Sequence, residues 1–137
     1  MTKQELCSVR GLKKKQRELE KRLQELKVAA ENIVPVIDGL PHAKNAKSRV
    51  EHIALDILSC ERELVEICGL VVKAQEELAD KITSEITKPA LFTFAVLRYV
   101  ECLSFKDTAH HMKITLRHAF RLDEKILKCH IVAQNQS

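Results

Sequence analysis

The chain has 137 residues, of which 45% are hydrophobic and 31% charged, and a formal net charge of +4. That length bounds it to one compact domain, or to a small domain with an extended element. With 4% aromatics, no Trp and only three Gly and three Pro, the composition excludes a turn-rich β-sandwich and favours long helices.

No apolar run reaches the ~18 residues that would span a bilayer, so no membrane partner is expected. The opening "MTKQELCSVRGLKKK" lacks the apolar stretch of a secretory signal. Five cysteines (Cys7, Cys60, Cys68, Cys102 and Cys129) form no CxxC pair, which points to reduced thiols and a cytoplasmic location. The charge is unevenly placed. Met1–Thr87 holds fifteen Lys/Arg against fifteen Asp/Glu, whereas Lys88–Ser137 holds eight against four. His110, His111 and His118 lie in that basic segment too. A localised cationic balance is the footprint of a polyanion-binding module.

The first predicted element is a helix from Thr2 to about Glu31. Leu12, Leu19, Leu26 and Ile33 recur every seven residues, and Val9, Gln16, Leu23 and Ala30 fill the interleaved position. This is an a/d seam, with charges of both signs on the other faces. The stretch from residue 32 to 48, with two prolines and a glycine, reads as a connector in which Val36, Ile37 and Leu40 pack. A second helix is expected from about Lys47 to Ile86. Val50, Ile57, Leu64, Val71 and Leu78 repeat at seven, with Ile53, Cys60, Ile67 and Ala74 between them. The first 87 residues therefore read as a long antiparallel helical hairpin or coiled coil. Its seams fit an intramolecular core or the interface of a homo-oligomer (a dimer), and both readings stay open.

Lys88-Pro89 breaks the pattern. "ALFTFAVLRYVECL" then reads as a buried helix with Leu91, Phe94, Leu97 and Val100 inward, opening a domain over residues 88–132 before a short tail, 133–137. In "SFKDTAHHM", Ser104 is an N-cap with Asp107 three residues on, close to a capping box, and Ala109 permits close helix approach. "MKIT" is a turn in which Ile114 anchors and Thr115 caps the next helix. That last helix, about Leu116–His130, places Ala119, Leu122, Ile126 and Leu127 on one face. Arg117, His118, Phe120, Arg121, Lys125 and Lys128 fall mainly on the others. Three helices with a short second member, a tight turn and a basic third member make the helix-turn-helix pattern. In that geometry the third helix enters the major groove.

"LRYVECLSFKDTAHHMKITLRHAFRLDEKIL" resembles the fourth-region helix-turn-helix of bacterial sigma factors. It is most similar to small phage- and prophage-encoded proteins grouped with late-gene regulators of the RinA and ArpU type. The matching positions are Leu97-Arg98-Tyr99-Val100, Ser104, Phe105, Asp107, Ala109, Thr115, Arg117, Phe120, Arg121 and Leu127. With the upstream "GLPHAKNAKSRVEHIALDILSCERELVE", the resemblance covers roughly residues 32–128. Thr108 stands where the pattern has a branched aliphatic, Asp123 where a basic residue is common, and His110-His111 where a charged pair is usual. The resemblance implies an all-α, sigma-factor-like DNA-binding transcriptional regulator acting on double-stranded DNA, with RNA polymerase as a further candidate partner.

On this reading Arg117, His118, Phe120 and Arg121 contact bases or nearby phosphates, since arginine reads guanine or clamps phosphate. Lys113, Lys125 and Lys128 hold the backbone, and Thr115 caps a helix end that can itself face a phosphate. Histidines and cysteines of the last third lack the short pair spacing of a structural zinc site. No phosphate loop or nucleophile elbow is present. No cofactor, metal, small-molecule substrate or enzymatic activity is expected. The rival readings are a protein-interaction module anchored by Leu116 and Phe120, and a structural coiled-coil assembly protein.

Overall fold

The computed structural model describes residues 1–32 and 43–131, the side chains of residues 43–47 excepted. Every regular element among these is helical: α1 (Lys3–Glu31), α2 (Ala43–Glu85), α3 (Pro89–Ala95), a π-helical turn (Val96–Val100), α4 (Phe105–Met112) and α5 (Leu116–Cys129). Most of the expected connector, with Val36, Ile37 and Leu40, lies outside the described residues, as do Ile33 and the tail. Helix α2 begins at Ala43, four residues before the expected start.

Helix α1 opens on a reciprocal cap. Glu5 N–H donates to Thr2 Oγ1 at 3.1 Å, and Thr2 N–H donates to Glu5 Oε2 at 3.2 Å. Two of the amides that a helix start leaves unpaired are thereby satisfied. Glu5 also meets Lys81 at 2.9 Å. That ammonium, with the Thr2 amide, holds the Glu5 carboxyl below the usual carboxylate range. The break at Lys88-Pro89 is local chemistry: Lys88 is extended (φ −74°, ψ 125°) and Pro89 takes the first position of α3, where its missing N–H costs nothing.

The chain divides into two compact units. One comprises Met1–Lys13 and Leu70–Ser137. Its core joins Leu6 and Val9 of α1 and Leu78 and Ile82 of α2 to Ile86. Leu91, Phe94 and Ala95 of α3, Tyr99 and Val100, Ala109 of α4, and Ala119, Leu122 and Ile126 of α5 complete it. Each helix gives a stripe, and five of them together exclude water from the middle.

The segment after Pro89 departs from the expected α-helix. Glu101 N–H bonds Val96 O, five residues back, so one extra residue enters the turn. Tyr99 and Val100 are brought to the core, and Leu97, expected inward, is only half-buried. Cys102 ends the turn in the left-handed region (φ 59°). The Leu103 N–H then reaches back to Leu97 O at 3.0 Å.

The other unit, Lys14–Gly69, is an antiparallel pair made by the rest of α1 and the first part of α2. Gln16 Nε2 lies 3.4 Å from Cys68 Sγ, and the Cys60 thiol donates to Leu19 O at 3.4 Å. The facing residues are the heptad positions: Leu19, Leu23, Leu26, Ile53, Ile57, Leu64 and Ile67 are half-buried and Cys60 is buried. In this unit the seams are therefore used within the chain. Ala30 and Val50, expected in the seam, are exposed, so the pairing ends before the far ends of the two helices.

Candidate functional site

The residues singled out from sequence converge on α4, the turn after it, and α5. Ser104 caps α4, its Oγ accepting from Asp107 N–H at 3.1 Å. Thr108, fully buried where an aliphatic was expected, donates its hydroxyl to Ser104 O at 2.8 Å. A buried hydroxyl with a partner avoids the desolvation cost of a lone one.

The turn is a Schellman closure. Lys113 sits in the left-handed region (φ 56°, ψ 44°), its N–H returning to the carbonyls of Ala109 and His110. Ile114 N–H bonds Ala109 O at 3.0 Å. These bonds satisfy the last carbonyls of α4. Ile114 packs against the core, which fixes the direction in which the chain leaves. Thr115 then caps α5, its Oγ1 accepting from His118 N–H at 3.2 Å. Two short hydrogen-bonded ends and one apolar anchor thus set the angle between α4 and α5.

Helix α5 is sharply divided. Ala119, Leu122 and Ile126 are buried and Leu127 is half-buried. Arg117, His118, Arg121, Lys125 and Lys128 are exposed, as are Lys113 and Thr115 before them. Arg117, Phe120, Arg121 and Glu124 follow one another at spacings of three, one and three, so they share a face. Lys128 is paired with Glu124 at 3.2 Å on the surface, a contact too exposed to immobilise it strongly.

Phe120 is 50% exposed and Leu116 46%. Phe120 does not hang free: its ring centroid lies 4.6 Å from that of Phe105, which lies 6.2 Å from that of the buried Phe94. Three rings step outward from the core, and Arg98 covers Phe105 with its guanidinium 4.3 Å from the ring centroid. The outer ring is consequently held in one orientation on the α5 surface.

Asp123, the unexpected acid of α5, is turned away from that surface and accepts a hydrogen bond from Tyr99 Oη. Burial, reinforced by this carboxylate, pushes the Tyr99 phenol well above its usual range. Arg98 donates Nη1 to Leu103 O at 2.8 Å, and burial followed by the nearby Arg10 charge lowers its pKa. Arg10 and Arg98 both approach the Tyr99 ring, at 5.7 and 5.9 Å from its centroid. So Arg98, counted among the basic residues of the last third, is a packing element and not part of the cationic surface. The roles of Arg10 and Arg98 are not visible in the sequence. "LRY" places Arg98 beside Tyr99, but nothing in the spacing ties Arg10 to them.

An open groove beside the turn is lined by Lys106, Asp107, Ala109, His110, Ile114 and Leu116. Among the described residues no group of three or more His, Cys, Asp or Glu is arranged to hold a metal ion. Likewise no helix among them is long and apolar enough to cross a membrane. Comparison with family models, with curated proteins and with solved structures finds no match.

Proposed function

We propose that the protein is a DNA-binding transcriptional regulator in which α4 and α5 form a helix-turn-helix and α5 lies in the major groove. The observation that carries this reading is the outer face of α5. Arg117, His118, Arg121 and Lys125 are exposed there, Asp123 is bonded to Tyr99 and Glu124 on the same face is paired with Lys128, and Thr115 fixes the helix start. Arg117 and Arg121 serve as base or phosphate clamps. His118 lies at the same end, and Phe120, braced by Phe105, offers an apolar edge to a thymine methyl. Lys113, Lys125 and Lys128 supply backbone contacts, which give affinity without sequence information. The sigma-factor-like resemblance of residues 97–128 supports the same assignment, with a phage or prophage regulator as its nearest kind.

Fluorescence anisotropy on mixed-sequence duplex DNA tests it. Binding that weakens linearly in a log–log salt plot is expected, because bound cations displace condensed counterions. No binding at low salt would overturn it.

One observation favours a second reading, a protein-interaction module directed at RNA polymerase or another helical partner. Leu116 and Phe120 are large, apolar and half exposed, and Ala109 and Ile114 give the groove next to Leu116 an apolar floor. On that reading Phe120→Ala abolishes polymerase capture while Arg121→Glu leaves it intact.

A further inference from the structure

Phe120 is half exposed between two exposed cations. Arg117 stands three residues before it and Arg121 one after, so all three share a face of α5. A phenyl ring has no hydrogen-bond donor or acceptor with which to read a base edge. The guanidinium groups beside it draw a polyanion to that face. The apolar group that a base pair then offers in the major groove is the C5 methyl of thymine.

The ring is braced from behind. Phe105, the first residue of α4, has its centroid 4.6 Å from that of Phe120, the planes inclined by 37°. Phe105 is itself held on two sides. The buried Phe94 lies 6.2 Å from it, and the Arg98 guanidinium lies 4.3 Å from its centroid. Arg98 is fixed in turn, donating Nη1 to Leu103 O at 2.8 Å. A side chain ordered before contact loses less rotamer freedom on binding.

We propose that Phe105 and Arg98 are positioning residues for base selectivity. They hold the Phe120 ring against the C5 methyl of a pyrimidine, so that the protein prefers thymine to uracil and 5-methylcytosine to cytosine. This rests on the DNA-binding reading above and adds to it two side chains, neither on α5, that govern which base is preferred. Within each pair the two bases present the same hydrogen-bonding groups in the major groove and differ only in the methyl group. Arg117 and Arg121 do not tell them apart, whereas an apolar edge does.

Selection of sites from a random-sequence duplex pool tests it, followed by anisotropy on the enriched duplex with thymine or uracil throughout. Wild type is expected to bind the thymine duplex about fourfold more tightly, the ratio that burial of one methyl group gives. Phe120→Ala should bring that ratio close to unity. Phe105→Leu and Arg98→Met should at least halve it with circular dichroism unchanged, and Phe105→Tyr, which keeps the ring, should preserve it. A general loosening of the fold weakens both duplexes alike and leaves the ratio alone. At the thymine where uracil costs most, cytosine should lose affinity and 5-methylcytosine should regain part of it. No binding to any duplex overturns the DNA-binding reading and this inference with it. Binding with no enriched sequence, or equal affinity for the thymine and uracil duplexes, overturns the methyl preference alone. A ratio that Phe105→Leu and Arg98→Met both leave at the wild-type value overturns their role as positioning residues.

Discussion

The two compact units are built from the same two long helices and yet are finished differently. Around Phe94, three further helices and a π-helical turn join α1 and α2, and fourteen side chains enter one buried cluster. Among the described residues of the unit 14–69, two helices face each other alone and only Cys60 is buried. A pair of helices can shield one stripe each, and its edges stay wet. A third and fourth helix turn those stripes into a core. The difference teaches where stability resides, and it explains why the candidate site belongs to the better-packed unit. On the proposed reading, a surface that holds Arg117 and Arg121 in fixed geometry has that rigid support beneath it.

The largest expected effect breaks that contrast most visibly. Phe94→Ala removes a ring with no exposure at all and should cost about 3–5 kcal/mol. Leu64→Ala removes a half-buried side chain from the hairpin and should cost about 1 kcal/mol, since part of that surface is already wet. Urea unfolding of the two variants measures both. Equal losses would mean that the hairpin is as tightly closed as the other unit.

A smaller effect concerns pH. Tyr99 is the single tyrosine and there is no Trp, so ultraviolet absorbance near the tyrosinate band reads this phenol alone. Its pKa is raised by burial and by the Asp123 hydrogen bond, while an unfolded tyrosine ionises near about 10. A folded state that binds the proton more tightly keeps its full contribution below the unfolded pKa. It loses that contribution as pH rises above it. The native protein should therefore show no tyrosinate until it unfolds, and its urea midpoint should fall above pH ~10. Tyr99→Phe should flatten that fall. Tyrosinate appearing while the chain is still folded would show that the Tyr99–Asp123 pair is open to solvent.

Much of this fold is legible from residue patterns, because helices announce themselves by period. The seven-residue repeats locate both halves of the hairpin, Lys88-Pro89 the break, and Ser104 and Thr115 the two caps. What escapes is long-range. No local pattern says that Leu6 and Val9 pack beside Phe94, over eighty residues away. The π-helical turn is hidden as well, since "AVLRYV" suits an α-helix equally and only packing decides that Tyr99 replaces Leu97. Asp123 reads as an intrusion into a basic face until its bond to Tyr99 turns it inward. The Thr108 hydroxyl likewise reads as misplaced until Ser104 O accepts it.

On the proposed reading the exposed cations of α5 touch DNA and those of the hairpin do not. Its most direct test is the salt dependence of duplex binding for two double variants, Arg117→Ala/Arg121→Ala on α5 and Lys15→Ala/Arg22→Ala on α1. The α5 pair is predicted to make the log–log slope shallower by about one to two units, one for each phosphate no longer neutralised, and the α1 pair to leave it unchanged. Equal slopes for wild type and the α5 pair, or a change confined to the α1 pair, would contradict the account.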